Sequence, residues 1–177
     1  MTTAGYLKPA DVNEASKVVP AMNDWFGTHN REVHCYPLLR FREGVQALGL
    51  LRKYKGTLLL TKAGEAAQRD ADRLSEHISH RLIPKSDKTF DAQATLLMLT
   101  FAAASAGSTL PLDKIAALLA ELGWRHSDGR TPAGSSLYHL PVNEILINVT
   151  DQPVTRALRD IVSPAAAALA RKALGGN

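Results

Sequence analysis

Residues 48–64 read LGLLRKYKGTLLLTKAG, and the whole chain is best approached from this stretch. Leu50 to Arg52 and Thr57 to Leu60 are two short apolar or β-branched runs. Between them, Lys53-Tyr54-Lys55-Gly56 has the glycine late, as hairpin loops of this length prefer. A β-hairpin over residues 50–60 with a basic, aromatic tip is therefore expected. Thr61 suits the N-cap of a helix that follows.

Outward toward the N-terminus, Pro37 suits a helix start. Leu38, Phe41, Val45 and Leu48 then recur at helical spacing, and Gly49 would end the helix. This predicts a helix over 37–48 with Arg40, Glu43 and Ala47 opposite the apolar stripe and Arg42 and Gln46 flanking it. A further helix is expected from Pro9 to Val19, broken by Pro20. Residues 21–36 suggest only a packed turn at Trp25-Phe26-Gly27. Toward the C-terminus, Ala67, Ala71, Leu74, Ile78 and Leu82 mark one helix over 62–82. Helices are expected at 90–104 behind Thr89, at 111–122, at 141–150 and at 164–174, the last stopped by Gly175-Gly176. Phe41, Val45, Leu48, Leu58 and Leu60 should pack together.

A helix, a second helix, a hairpin with a basic tip and a capped helix form the layout of a winged helix. Helix 37–48 would be its recognition helix and residues 50–60 its wing. The order of elements recurs. Helix 9–19 matches 111–122, and "WFGTHNR" (25–31) echoes "WRHSDGR" (124–130). Leu38, Phe41 and Val45 match Val142, Ile145 and Val149, and "TKAGEAA" (61–67) echoes "SPAAAAL" (163–169). The expected fold is mainly α. It comprises tandem winged-helix-like units at 1–85 and 86–177, each a three-helix core with a small hairpin wing, the second degenerate.

Four stretches, "GYLKPADV" (5–12), "NREV" (30–33), "FREGVQALGLLRKYKGTLLLTKAG" (41–64) and "IAALLAELGW" (115–124), resemble a helical region of actinobacterial proteins. That region often follows a domain similar to the plasmid Ri open-reading-frame-three product. The resemblance spans about residues 3–125 and implies a winged-helix-like fold without implying an activity. Some relatives are labelled as passengers of mobile elements.

The chain has 177 residues, 45% of them apolar, enough for a core. Its single cysteine, Cys35, excludes an internal disulfide and fits a reducing, cytoplasmic setting. No apolar run approaches the length of a membrane span, and Met1 to Asp11 lacks the apolar core of a signal peptide. The formal charge is +4, and it is uneven. Residues 1–85 carry 13 Lys/Arg against 9 Asp/Glu, whereas residues 86–177 carry 8 of each. Six basic residues face one acid, Glu43, between positions 40 and 62.

A basic excess on one element suggests nucleic acid, with a solvated basic surface as the plainer reading. On the first reading, Arg40, Arg42 and Gln46 would face or flank the major groove of duplex DNA. Arg52, Lys53, Tyr54, Lys55 and Lys62 would meet the backbone from the wing and the helix after it. Such a protein would be a transcriptional regulator or a mobile-element accessory protein. On the alternative reading the units hold a protein partner or a second copy of the chain. Glu43 on the reading face and the "DQPVTRALRD" segment (151–160), which lacks a Lys-Gly tip, favour that view.

No nucleophile elbow, phosphate loop or dinucleotide fingerprint occurs, so no enzyme activity, catalytic residue or cofactor is expected. His29, His34 and Cys35 lie close in sequence, as do His77 and His80 beside Glu76. A zinc site at the first group would need a fourth ligand, usually from a second close pair; His77 and His80 could complete it or make a site of their own, with surface histidines as the plainer expectation. Trp25 and Trp124 are expected to anchor cores.

Overall fold

Ten elements of regular structure run through the computed structural model, which describes residues 1–155 and 157–175. They are α1 (Pro9–Ser16), α2 (Tyr36–Ala47), β1 (Leu51–Tyr54), β2 (Thr57–Leu60), α3 (Lys62–Ala67), α4 (Ala71–Leu82), α5 (Phe90–Ala104), α6 (Leu112–Glu121), α7 (Pro141–Asn148) and α8 (Pro164–Ala173). Short 3-10 turns lie at Pro20–Met22, Glu32–His34 and Gly134–Leu137. The fold is thus mainly helical, with one small antiparallel sheet among the described residues. Arg156 of the 151–160 segment and Gly176 of the expected stop signal lie outside those residues. None of the described helices is long and apolar enough to cross a membrane.

The hairpin stands where the sequence places it, in the register Leu51↔Leu60 to Tyr54↔Thr57. Its tip is tighter than the expected four-residue loop. Lys53 and Tyr54 belong to β1, and only Lys55 (φ 45) and Gly56 (φ 74) make the turn. Two consecutive positive φ values give the turn a twist that matches the flanking strands, and glycine reaches such a value without steric cost.

Thr61 caps α3 as expected. Its hydroxyl oxygen accepts from the Gly64 amide (3.1 Å) and donates to the Gly49 carbonyl (2.7 Å), tying the start of α3 to the end of α2. Ser163 repeats this arrangement. It accepts from the Ala166 amide (2.9 Å) and donates to the Val149 carbonyl (2.5 Å), tying α8 to α7. The segment between α7 and α8 forms no second hairpin among the described residues. Ile161 instead makes an isolated antiparallel bridge with Thr109, ahead of α6.

Residues 62–82 do not form one helix. They break after Ala67, and Asp70 starts α4 by accepting from the amides of Asp72 and Arg73, both at 3.1 Å. The apolar spacing runs through the break, so periodicity hides it; the local competition of an aspartate for backbone amides causes it. Ahead of the break, Gly64 abuts the Leu50 carbonyl so closely that a Cβ would stand 2.2 Å from the oxygen. Gly64→Ala should accordingly cost about 1–3 kcal/mol through overpacking against a backbone that cannot yield. A urea midpoint unchanged from wild type would show that the hairpin is free to move off α3.

Both halves share one core. Leu48, Leu50, Ile78 and Leu82 join Met98, Ile115, Ile145 and Leu169 in a single buried cluster, so the expected boundary at residue 85 does not separate one interior from another. α2 packs along α7, where Gly44 lets Ile145 approach to 3.4 Å from the place a Cβ would take. α8 packs on both α4 and α5. A smaller cluster of Val12, Val19, Met22, Cys35 and Leu38 closes the N-terminal end, with Phe41 and Ile147 at its edge.

The tight packing expected of Phe41, Val45, Leu48, Leu58 and Leu60 is not what the chain adopts. Phe41, Val45, Leu48 and Leu60 instead line a cavity of about 310 Å³, Leu58 is not among its lining residues, and Leu60 is 37% exposed.

Candidate nucleic-acid interface

Strand alternation sorts the hairpin's side chains. Arg52 and Tyr54 share one face. The Arg52 guanidinium lies 5.2 Å from the Tyr54 ring centroid, and the Lys55 ammonium lies 5.4 Å from it. The ring thus holds two cations in place through its negative face. Lys53 projects to the other face, its Nζ only 2.9 Å from where a Cβ on Gly5 would stand. Lys62 follows in the first turn of α3. All five side chains are exposed, and no ion pair among the described residues engages Arg52, Lys53, Lys55 or Lys62. No Asp or Glu occurs between Glu43 and Glu65. The hairpin thus groups Arg52, Tyr54 and Lys55 and sets Lys53 on its opposite face.

α2 contributes less than expected. Pro37, Leu38, Gly44 and Leu48 point inward, which leaves a stripe of Tyr36, Arg40, Glu43 and Ala47. Arg40 does lie on the predicted face, but its guanidinium pairs with Glu43 at 3.1 Å and lies 5.1 Å from the Tyr36 ring centroid. The stripe carries no net charge.

Arg42 and Gln46, expected at the edges of a groove-reading surface, are committed elsewhere. Arg42 is buried; its Nε donates to Glu32 Oε1 at 2.5 Å and its Nη1 to Gln46 Oε1 at 2.5 Å. The other Glu32 oxygen accepts from the Leu7 amide at 2.7 Å. Glu32 is 1% exposed, and a buried carboxylate needs a paired, hydrogen-bonded cation. That requirement draws Arg42 inward, and Gln46 fixes the guanidinium from its other side. Glu32 lies in the 21–36 stretch that had no clear reading, so no local signal marks the pair.

A second buried carboxyl, Glu144 on α7, was also missed. It is 5% exposed, and one of its oxygens has no hydrogen-bond partner among the described residues. Burial pushes its pKa up to about 7, against the opposing pull of Arg159 and Arg40. Arg159 itself donates to the Ala21 carbonyl (3.1 Å) and lies 5.7 Å from the Trp25 ring centroid.

The histidines serve local bonds. His29 Nε2 lies 3.0 Å from the Trp25 carbonyl, and His77 Nε2 lies 2.8 Å from the Leu48 carbonyl. No group of three His, Cys, Asp or Glu among the described residues could hold a metal ion. Cys35 is buried, and desolvation, with the nearby Glu32 charge, pushes its thiol pKa up, away from nucleophilic behaviour. Trp124 donates to Gln93 Oε1 at 2.8 Å and meets Phe90 edge-on. Trp25 donates to the His34 carbonyl at 3.0 Å and stacks on Phe26, which is 83% exposed. No family model, curated protein or solved structure matches the chain.

Proposed function

We propose that the protein binds duplex DNA through the basic hairpin, used as a wing on the phosphate backbone, with little base reading by α2. The observation that carries this reading is the exposed set Arg52, Lys53, Lys55 and Lys62, in no ion pair among the described residues and on a stretch with no acid between Glu43 and Glu65. Tyr54 preorganises two of the four. The neutral stripe on α2 and the burial of Arg42 favour backbone contact over sequence readout. Tandem winged-helix-like units belong to the proposal; the matching caps at Thr61 and Ser163, each tied to the end of the preceding helix, support it. Binding of this kind suits an accessory of DNA transactions, such as a mobile-element protein, better than an operator-reading regulator.

If four cations each neutralise one phosphate, log affinity should fall with log salt at a slope of about −3.6. Affinity for any duplex should lie at roughly 10⁻⁴ to 10⁻⁶ M near physiological salt. Changing Lys53 and Lys55 together to Ala should flatten the slope by about 1.8 and weaken all sequences alike. Fluorescence anisotropy in low salt reads both quantities. Absence of binding at about 100 μM protein, the weak end of that range, would remove the reading.

A second reading is a protein-interaction or dimerisation module. Leu59 and Leu60 favour it, since both are more than a third exposed on the same hairpin. A mass that rises with concentration in light scattering, without any DNA binding, would put this reading first.

A further inference from the structure

We propose that the cavity between α2, the hairpin, α3, α4 and α7 is a binding site for a neutral, largely hydrocarbon ligand of about twelve non-hydrogen atoms. The proposal does not depend on the DNA reading. Five elements wall the cavity, with Phe41, Val45, Leu60, Ala67, Ile78 and Val149 among the lining. The space, about 310 Å³, is a cleft that opens to solvent where Leu60 and Gln68 are exposed, and its size is that of a small-molecule site. An apolar cavity of about 150 Å³ accommodates a six-carbon ring, and twice that volume sets the ligand size given above.

The lining also sets the ligand's chemistry. No charged side chain contributes to it, so an ionised ligand would be desolvated without a partner. Two carboxamides reach it, and Asn148 already has one acceptor site and one N–H engaged. Its Oδ1 accepts from the Ala21 amide (3.0 Å), and its Nδ2 donates to the Glu144 carbonyl (2.8 Å). Gln68, exposed at the break between α3 and α4, is left to bond a single hydroxyl or carbonyl on the ligand. Few polar groups in an apolar pocket of this size are the usual makeup of a small-molecule site. A ligand there would touch α2 and β2 at once.

Two neutral probes test the site: 1-naphthol and 1-decanol, titrated into the full chain and read by thermal unfolding and by amide chemical shifts. At a hundredfold excess over Kd, the melting temperature should rise by about 5–10 °C. Amide shifts should centre on Ala67, Gln68 and Val149. The charged 1-naphthoate should bind at least about tenfold more weakly than 1-naphthol. Val149→Phe, which fills the space from within, should lower affinity for both neutral probes at least about tenfold without lowering the melting temperature. Ala67→Leu replaces it if Val149→Phe does not fold. Wild-type protein that shows no melting shift and no amide shift with either probe overturns the proposal. An undiminished response in a folded filled variant also overturns it, as does a dimer in which the cavity is closed by the second copy.

Discussion

Replacing Arg42 by Met should lower the unfolding free energy by about 3–5 kcal/mol, the usual loss when one partner of a buried ion pair is removed. The cost arises at Glu32, whose carboxylate has no route to solvent and would keep only the Leu7 amide as a donor. Met preserves most of the aliphatic volume, so the loss reports charge and hydrogen bonding rather than a cavity. The double change Glu32→Gln with Arg42→Met should recover at least about half of it, since the glutamine oxygen can still accept from Leu7 while carrying no charge. Urea unfolding of the four proteins completes the cycle. A loss below about 1 kcal/mol for Arg42→Met would show that Glu32 is solvated, and would return Arg42 to the set of side chains free to meet DNA.

The second large effect concerns Glu144 and depends on pH. In the folded protein its carboxyl holds a proton until about pH 7, whereas the unfolded chain releases it near 4.5. Between those values the folded state binds the extra proton, so stability falls as pH rises. The contribution is complete below about pH 4.5 and lost above about pH 7, and a displacement of that size corresponds to about 3 kcal/mol. The groups facing Glu144 are Arg40 on α2 and Arg159 ahead of α8, and their attraction falls short of the cost of burial. Glu144→Gln removes the ionisation and keeps the shape. Its stability relative to wild type should therefore grow by about 2–3 kcal/mol between pH 5 and pH 8. Parallel denaturation curves for the two proteins across that range would refute the assignment.

What could be read from the chain was whatever one or two turns of local chemistry decide. Gly56 announced the hairpin, because the turn needs a residue that accepts positive φ. Thr61, Thr89 and Ser163 announced helix starts through side-chain oxygens that now accept from Gly64, Ala92 and Ala166. Prolines at 9, 37, 141 and 164 did the same through their fixed φ. The basic character of the hairpin was legible in its residues, but Lys53 and Tyr54 were expected in the loop and belong to β1. What escaped were arrangements between residues far apart. Glu32 and Arg42 are ten positions apart across a turn, and Glu144 is buried by a helix a hundred residues away. Spacing could not show them, because the first depends on how the 21–36 stretch folds over α2 and the second on which face of α7 meets α2. The cavity escaped for a related reason. Apolar spacing says which side chains face inward, not whether they reach one another.

The shared core also bears on how the chain is made. Ile78 and Leu82 of α4 are covered by α8, which begins roughly 80 residues later. At ribosomal rates of about 5–20 residues per second, that stretch takes about 4–16 s to emerge. Over that interval the earlier half lacks the surface that buries its apolar stripe, and a two-stranded hairpin alone is marginal in water. A chain stalled before residue 164 should therefore expose Ile78 and Leu82, which α8 covers in the complete fold.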